Sequence, residues 1–395
     1  MAVTINQMLA QRNILRVISE FAKPNTPLCN FYGVQRGSAA DRGYPGSDMF
    51  YWDVFNYSRT LASAYQPEMP PPVTQETQPY MNQGRFAFVG AREQFMYDRL
   101  APWRPLGKPD GPLDKGGQDF VKRQVQNMVQ RVDNTREFML GQTLSVGTFS
   151  LFQSGEEWIP IDTASLPANT PFVTVDMGIP STHKSQLDVF GTSAPIIDAV
   201  WGTASNDIAK QLFNLYGASE KKYGLPVTEC WINSKTFNYL RINNYMMMGG
   251  LSSGSFIIYK SLTKEPIKGD YMQHGAFDVV FNSCPLITFH VLNRSYNVNS
   301  KDDNAVTGTS LKMTVPDDRA IFTPKPSRDW LSVAEGSRTI RPTPNAAPEL
   351  KYGFHTYSVP IYGAGAAGIE EVAADSFLIY LLTRYAMYIA TVTGF

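Results

Sequence analysis

The amino-acid sequence predicts an α+β protein whose 395 residues form several substructures. Two observations support this class. One long helical pattern covers Asp119–Leu140, whereas most other apolar segments are short, strand-like and separated by links rich in proline or glycine. The chain also contains 23 Phe, 20 Tyr and 6 Trp but only 18% charged residues. Because a lone monomer has little interior for so many rings, we expect partner subunits to cover part of them.

Charge and cysteine content exclude several functional classes. The 35 basic and 35 acidic residues give a formal charge of zero, which argues against a dedicated nucleic-acid binder. Cys29, Cys230 and Cys284 are odd in number and scattered, so we expect buried free thiols and no disulfide framework. The most apolar segment, Phe377–Ala390, is interrupted by Arg384 and is too short for a membrane span.

The N-terminal 48 residues have the pattern of an arm. Thr4–Gln7 reads as a capping box that opens a helix, and Met8 and Leu9 begin its apolar side. The helix is expected to end before Pro24, and the irregular stretch Gly33–Asp48 follows it. A short amphipathic helix on a tether cannot bury its apolar side alone, so we expect Met8 and Leu9 to contact another subunit.

Residues 49–110 are predicted to form an extended hairpin. Tyr51–Arg59 and Arg85–Val89 have strand composition, and the proline-rich segment Gln66–Pro79 lies between them. A two-stranded hairpin is marginal in isolation and needs a surface to lie on. We therefore expect its aromatic side chains to pack on adjacent subunits; these are Tyr51, Trp52, Phe55, Tyr57, Phe86 and Phe88.

The helix over Asp119–Leu140 is the clearest element of the chain. Its apolar residues recur at helical spacing on one stripe, at Val121, Val125, Met128 and Val132. Gly141 is the expected stop, which makes the helix a spine of roughly 30 Å.

Basic residues on this helix are candidates for contact with DNA, namely Lys122, Arg123, Arg131 and Arg136. Asp133 and Glu137 dilute their charge, so the helix is interpreted first as a supporting strut.

The rest of the chain alternates strands with two helices. Thr143–Val175 reads as β-rich, and the helices are predicted over Asp207–Lys222 and Ser234–Tyr245. Further strands are expected at Glu229–Ile232, between Phe256 and Thr323, and in the apolar tail Phe377–Val392.

No motif carries catalytic chemistry, so we predict no enzyme, no cofactor and no metal site. Gly363–Gly368 matches G-x-G-x-x-G, but a dinucleotide site needs a following helix and an acidic residue about 20 positions on. A flexible glycine loop is the preferred interpretation, and a Gly-loop oxidoreductase is the alternative from another class. The adjacent carboxylates Glu156–Glu157 and Glu370–Glu371 are interpreted as solvated surface. The four histidines, which are His183, His274, His290 and His355, lack metal-ligand spacing.

The order of elements, read with three local motifs, resembles the major capsid proteins of lambda-like tailed phages. This is the capsid protein E family, which has the Hong Kong 97-type fold. Thr4–Ala10 resembles the arm helix of that family, and Gln126–Met128 lies in a helix similar to its spine. Val173–Gly178 is similar to the Val-x-Val-Asp-Met-Gly turn that follows the spine. The sequence departs from the family in the longer segments Gln66–Pro79 and Ile258–Ser300.

The resemblance implies a fold in five segments and a structural function. The segments are an N-terminal arm (1–48), an E-loop hairpin (49–110), a peripheral domain with the spine helix (111–185), an axial domain (186–341) and a C-terminal strand segment (342–395). Such subunits form hexamers and pentamers of an icosahedral head around phage DNA, in a virion assembled in the host cytoplasm. Expected partners are a separate scaffold protein, a portal, in some cases a decoration protein, and loosely contacted DNA, with no membrane. An encapsulin-like compartment shell is the alternative within the same fold.

Overall fold

The fold is described from a computed structural model of the chain. It describes residues 26–55, 80–96, 100–103, 114–154, 157–161, 172–185, 187–189, 195–197, 200–247, 256–260, 276–297, 311–340, 347–363 and 366–392. The predicted arm helix and the proline-rich segment Gln66–Pro79 lie outside these residues.

The described residues form five α-helices, two short 3-10 helices (Ala101–Trp103 and Ser181–His183) and 21 strands. The helices are α1 (Pro27–Tyr32), α2 (Lys115–Val146), α3 (Ile208–Tyr223), α4 (Ser234–Ile242) and α5 (Asn244–Met247). The first eleven strands are β1 (Asp41–Arg42), β2 (Met49–Val54), β3 (Tyr80–Arg85), β4 (Ala87–Met96), β5 (Thr148–Ser154), β6 (Glu157–Ile161), β7 (Phe172–Asp176), β8 (Lys184–Ser185), β9 (Glu229–Ile232), β10 (Phe256–Lys260) and β11 (Ala276–Phe281). The remaining strands are β12 (Cys284–Leu292), β13 (Ser295–Asn297), β14 (Leu311–Met313), β15 (Arg319–Thr323), β16 (Leu331–Glu335), β17 (Ser337–Ile340), β18 (Glu349–Tyr352), β19 (His355–Gly363), β20 (Ala366–Leu381) and β21 (Tyr388–Thr391).

The chain divides into two compact units, each built from separate stretches of sequence. Unit 1 comprises Met1–Phe50, Gly84–Phe138 and Val333–Ile379. Unit 2 comprises Tyr51–Gln83, Met139–Ser332 and Tyr380–Phe395. The five predicted segments are consecutive in sequence and do not coincide with these two units. The roles of the segments stay predictions.

Unit 1 packs the first part of α2 on a sheet. The sheet has the order β1-β16-β20-β19. The strand β4 also pairs with β20, on the edge opposite β19. The predicted stripe of α2 is buried as expected, with each of its four side chains 2% exposed. These side chains pack with Phe95 of β4 and Ala373 of β20. Burial of this apolar stripe explains why a helix with many polar residues is stable here.

The glycine-rich motif lies in an antiparallel hairpin of unit 1, which overturns the dinucleotide alternative. Gly363 ends β19 and pairs with Ala366, the first residue of β20. A strand therefore follows the motif where a phosphate-binding loop needs a helix. A Cβ on Gly368 would lie 2.7 Å from the carbonyl oxygen of Phe95, so this glycine allows β4 to approach.

Unit 2 is built on a seven-stranded mixed sheet of order β10-β11-β12-β9-β15-β21-β8. The helices α3 and α4 contact β12, and the core between them includes Trp201, Leu212 and Phe237, all fully buried. The strands β5, β6 and β7 form a separate three-stranded sheet. The strand Glu229–Ile232 is thus confirmed, and the helix predicted over Asp207–Lys222 is confirmed as Ile208–Tyr223. The helix predicted over Ser234–Tyr245 is instead divided at Asn243 into α4 and α5.

Side-chain caps determine where the helices of unit 2 begin. The Asp207 carboxylate accepts from the Lys210 amide at 2.9 Å, and the Asn233 side chain accepts from the Thr236 amide at 2.9 Å. Both side chains satisfy an amide that has no partner within the first helical turn. Gly224, at φ +70°, ends α3 in the left-handed conformation that glycine adopts without strain.

The prediction that α2 stops at Gly141 is wrong. The helix continues to Val146, which gives it a length of about 48 Å. It ends at Gly147, whose φ is +80° and whose amide donates to the Thr143 carbonyl at 3.0 Å. Gly141 lies where Thr314 crosses the helix, since a Cβ there would be 2.8 Å from the Thr314 carbonyl oxygen. The glycine provides room for a neighbouring segment and does not end the helix.

We expect Gly141→Ala to lower the free energy of unfolding by about 1–3 kcal/mol, because the added methyl group overlaps backbone that cannot move aside easily. Gly217→Ala is the matched control, since Gly217 is an exposed residue of α3 and a Cβ there would have nothing within 4 Å of it. In that variant alanine should raise the free energy of unfolding by about 0.5–1 kcal/mol. Urea denaturation of both variants measures the difference, and a stabilised Gly141→Ala protein would contradict the close approach of Thr314.

All three cysteines are free and buried, as predicted. Burial raises the pKa of each thiol, which keeps the thiols protonated and unreactive.

Among the residues that the structure describes, no helix combines the length and the apolar character needed to cross a membrane.

Candidate assembly surface

The strands β2 and β3 pair into a two-stranded ribbon. The hairpin over residues 49–110 stays a prediction, and its predicted second strand, Arg85–Val89, does not match β3. The partner of β2 is Tyr80–Arg85, whereas Ala87–Val89 belong to β4 and pair with β20. The prediction followed the apolar run Phe86–Val89, so the polar residues Asn82–Arg85 just before it were not recognised as a separate strand.

The ribbon exposes large apolar side chains. Along β2 burial alternates with period two, so Trp52 and Val54 face inward and Tyr51 faces solvent, followed by Phe55 just beyond the strand. Tyr51 and Phe55 are each 52% exposed, and on β3 Tyr80 is 55% and Met81 64% exposed. A ribbon that leaves so much apolar surface uncovered has the character of an interaction site.

Tyr80 and Met81 were missed by sequence reasoning. They follow directly on the proline-rich segment, and they were not assigned to a strand. The signal that could have identified them is an apolar pair directly after a proline-rich segment, which is typical of a strand that begins where a loop ends.

Trp52 is not available to a neighbouring subunit, which corrects one predicted contact. It is 5% exposed, and its indole N–H donates to the Leu381 carbonyl at 3.0 Å. Its ring lies 5.4 Å from that of Tyr380. The indole is held inside unit 2 by its own chain.

Phe86 requires the same correction, while Phe88 stays a candidate. Phe86 is 3% exposed and lies between two glycines of unit 1, since a Cβ on Gly43 or Gly336 would be 2.6 or 2.8 Å from its ring. Phe88 lies on β4 and not on the ribbon, and it is 39% exposed. Tyr57, Met8 and Leu9 lie outside the described residues, so their roles stay predictions.

The end of the predicted arm is anchored in unit 1. Leu28 is fully buried, and the amides of Leu28 and Cys29 each donate to the Glu137 carboxylate at 2.8 Å. This carboxylate thus satisfies two amides of the first turn of α1. Residues 26–34 are therefore part of the folded core, although the sequence assigned them to a tethered arm.

Two ion pairs continue this anchor and correct one DNA candidate. Arg36 Nε lies 2.5 Å from Asp133, and Arg136 lies 2.8 Å from Asp375, with both side chains of the second pair nearly inaccessible. Arg136 also donates to the Val34 carbonyl at 3.3 Å. A guanidinium enclosed in this way cannot face DNA. The other three basic candidates of the helix are exposed and stay candidates; these are Lys122, Arg123 and Arg131.

Glu371 is buried, although the sequence pattern suggested a solvated surface. Neighbouring carboxylates do point apart on the strand, as expected: Glu370 pairs with Arg92 at 3.5 Å, while Glu371 is fully buried. Glu371 lies between Ser358 of β19 and Glu93 of β4 in the sheet register. Burial raises the pKa of Glu371 to about 7, an effect that the nearby Ser358 hydroxyl only partly offsets.

The fold also brings together a polar triad that sequence spacing did not reveal. His290 Nδ1 lies 2.7 Å from Asp278, and its Nε2 lies 2.9 Å from Glu229. Burial lowers the pKa of His290, but the hydrogen bonds to the two carboxylates outweigh burial and raise it overall. The imidazole is 3% exposed, so this triad holds β9, β11 and β12 together and offers no access to a substrate.

No three His, Cys, Asp or Glu side chains of the described residues are placed to hold a metal ion together.

Comparison with solved structures places the fold in the class of phage capsid proteins. A prophage protein of E. coli CFT073, named as a capsid protein, matches over 100% of both chains with 11% identity and a TM-score of 0.50. A phage-related protein from Bordetella bronchiseptica RB50 matches over 100% of this chain and 99% of its own, with 10% identity and a TM-score of 0.43. The capsid structure of cyanophage P-SCSP1u matches over 90% of this chain and 86% of its own, with 12% identity and a TM-score of 0.38.

The chain therefore has a mixed α/β fold that matches phage capsid structures, and among these three the prophage protein is similar enough to support it. No family model matches the sequence, and no curated protein matches it either.

Proposed function

We propose that the chain is the major capsid protein of a tailed double-stranded DNA phage, a structural protein of the virion. Copies assemble in the host cytoplasm into hexamers and pentamers that form the icosahedral head. The observation that carries the proposal is the apolar ribbon of β2 and β3, exposed in a chain that has a capsid-type fold. Such a ribbon has little core of its own and gains stability by lying on a neighbouring copy.

The Hong Kong 97-type parts are assigned as follows in this proposal. Residues 1–48 form the N-terminal arm, whose residues 26–34 are anchored in unit 1. Residues 49–110 form the E-loop hairpin and 111–185 the peripheral domain, with α2 as its spine helix. Residues 186–341 form the axial domain, and 342–395 return to the core as the C-terminal segment. The exposed ribbon within 49–110 supports the hairpin assignment, and the length of α2 supports the spine assignment.

The partners follow from the same proposal. A separate scaffold protein directs assembly, a portal occupies one vertex, and a decoration protein is a further candidate partner. Contact with packaged DNA is loose, since the formal charge of the chain is zero.

Replacing the two outward rings of β2 should prevent assembly without unfolding the subunit. We expect Tyr51→Ser with Phe55→Ser to abolish particles, because both substitutions remove apolar packing between copies. The free energy of unfolding should change by only about 0.5 kcal/mol, since both side chains are exposed in the subunit. Size-exclusion chromatography and negative-stain microscopy at matched protein concentration measure the result.

Asp53→Ser is the matched control, because Asp53 lies on the same outward face between the two rings. It should assemble like the unmodified chain. Particles of normal yield from the double variant would overturn the interface assignment. DNA in particles of the unmodified chain identifies a phage head, whereas particles without a genome identify an encapsulin-like compartment.

A further inference from the structure

We infer that a cleft in unit 2 is a binding site for a phosphate group. The cleft has a volume of about 600 Å³ and lies between the turn after β7, the end of α3 and the loop between β20 and β21. The lining residues that matter here are Gly178, Thr182, Lys222, Tyr223, Arg384 and Tyr385. The site does not depend on the assembly proposal, because it is formed by side chains of one unit.

One wall of the cleft is fixed from behind by His183. His183 Nδ1 lies 3.2 Å from the Met387 carbonyl, which can only accept, so Nδ1 carries the proton. Burial lowers the pKa of His183 to about 4, so its ring is neutral at pH 7. Nε2 must then accept from the Tyr223 hydroxyl, 3.3 Å away. The Tyr223 ring is thereby held in one orientation.

Next to Tyr223 the cleft presents a guanidinium that lies over two aromatic rings. Tyr385 stacks on Tyr223 with ring centroids 4.7 Å apart. The Arg384 guanidinium carbon lies 5.2 Å from the Tyr385 ring centre and 5.3 Å from that of Tyr80. Stacking fixes the plane of the guanidinium and leaves its N–H groups to bind in that plane. Arg384 also donates to the Tyr385 hydroxyl at 3.3 Å.

The lining of the cleft is positively charged. It includes Lys222 and Arg384 but neither Asp nor Glu. Among the described residues no carboxylate pairs with Arg384, and its buried Nε has no hydrogen-bond partner. Asp176, two residues before Gly178, is not among the lining residues, and its carboxylate accepts from the Gly178 amide at 2.9 Å. Two cations in a concave site without an acid favour an anionic ligand.

The donor set fits a phosphate group. Proteins contact phosphates through Arg, Lys and Thr side chains, and Arg384, Lys222 and Thr182 line this cleft. The Tyr223 hydroxyl donates to His183, so it positions the site and does not donate to the ligand. A planar guanidinium matches two phosphate oxygens. The Lys222 ammonium donates to the Val189 carbonyl and lies 5.1 Å from the Tyr223 ring centre, so it contributes a second, fixed positive charge beside the site. The cleft is open enough for a phosphate that belongs to a nucleic-acid strand as well as for free inorganic phosphate.

Binding measurements on the full-length protein test the inference. Sodium phosphate is titrated against sodium chloride of equal ionic strength, with the change in melting temperature as the readout. A fluorescein-labelled ten-residue oligothymidylate is titrated in parallel by fluorescence anisotropy. We expect Arg384→Gln to weaken phosphate binding at least tenfold, while Arg241→Gln, an exposed arginine of α4, leaves it unchanged.

Thr182→Asp provides a second variant that does not disturb the stacked rings. Thr182 is exposed at the cleft, so a carboxylate there should repel phosphate without unfolding the protein. Loss of binding in both variants supports the site. If the oligonucleotide also binds, and both variants weaken its binding, the natural ligand is a phosphate of a nucleic-acid strand. If only inorganic phosphate binds and is weakened in both variants, the natural ligand is a free phosphate ion. Unchanged phosphate affinity in a folded Thr182→Asp protein, or no binding by the unmodified chain, overturns the inference.

Discussion

Arg136→Met is expected to lower the free energy of unfolding by about 3–5 kcal/mol. Arg136 lies 2.8 Å from Asp375 with both side chains almost completely enclosed, and its guanidinium covers the Phe377 ring at 4.3 Å. Methionine preserves much of the volume but leaves the Asp375 carboxylate in the interior without its cation. An uncompensated buried charge is far more unfavourable than a lost surface contact.

Two further variants separate charge from packing. Arg136→Met with Asp375→Leu removes both charges and should recover most of the lost stability, because the remaining side chains are apolar. Arg92→Met breaks the exposed pair with Glu370 and should change the free energy of unfolding by less than about 1 kcal/mol. Urea denaturation at pH 7 measures all three. If the double variant were as unstable as Arg136→Met alone, packing of the guanidinium on Phe377 would explain the loss and the buried charge would not.

Glu371→Gln should stabilise the protein at high pH by about 3 kcal/mol. The pKa of Glu371 is raised from 4.5 to about 7 by burial, so the folded protein holds this proton more tightly than the unfolded chain. The stability that depends on the proton is complete below pH 4.5 and is lost as the pH rises through about 7. Glutamine is neutral at every pH and has nearly the same shape, so the variant does not lose this stability.

The difference in the free energy of unfolding between the two proteins should therefore grow with pH. At about pH 8 Glu371→Gln should be more stable than the unmodified chain, and near pH 4 the two should agree within about 0.5 kcal/mol. Glu370→Gln is the matched control on the same strand, since Glu370 makes only a surface pair. Chemical denaturation at both pH values measures the difference. Equal stability at the higher pH would show that the Glu371 carboxyl reaches solvent.

Local patterns in the sequence were reliable wherever the cause of the structure is local. The stripe of α2, the helix that begins near Asp207 and the strand Glu229–Ile232 follow from periodicity and from hydrogen bonds within a few residues. The burial of the cysteines follows from their chemistry and their odd number. The similarity to capsid proteins was also visible in the order of elements, and the solved prophage structure supports it at the level of the fold.

Errors arose where a residue is governed by a distant part of the chain. Gly141 was predicted to end the helix, because glycine commonly does so. The actual cause of the glycine is the close approach of Thr314, a residue that is remote in sequence. Phe86 was assigned to the hairpin surface, but its ring packs between Gly43 and Gly336. Both glycines are remote in sequence, so this contact was not visible in the sequence.

The order of residues was thus enough to establish the α+β class and the positions of most helices and strands, and its aromatic content led to the expectation of partner subunits. Folding in three dimensions was needed to show which of those rings are exposed, which carboxylates are buried, and that Lys222 and Arg384 share one cleft. The physical reason is that periodicity and capping act within one or two turns of the chain. Burial, ion pairing and pKa depend instead on neighbours that are remote in sequence, and these are known only once the chain has folded.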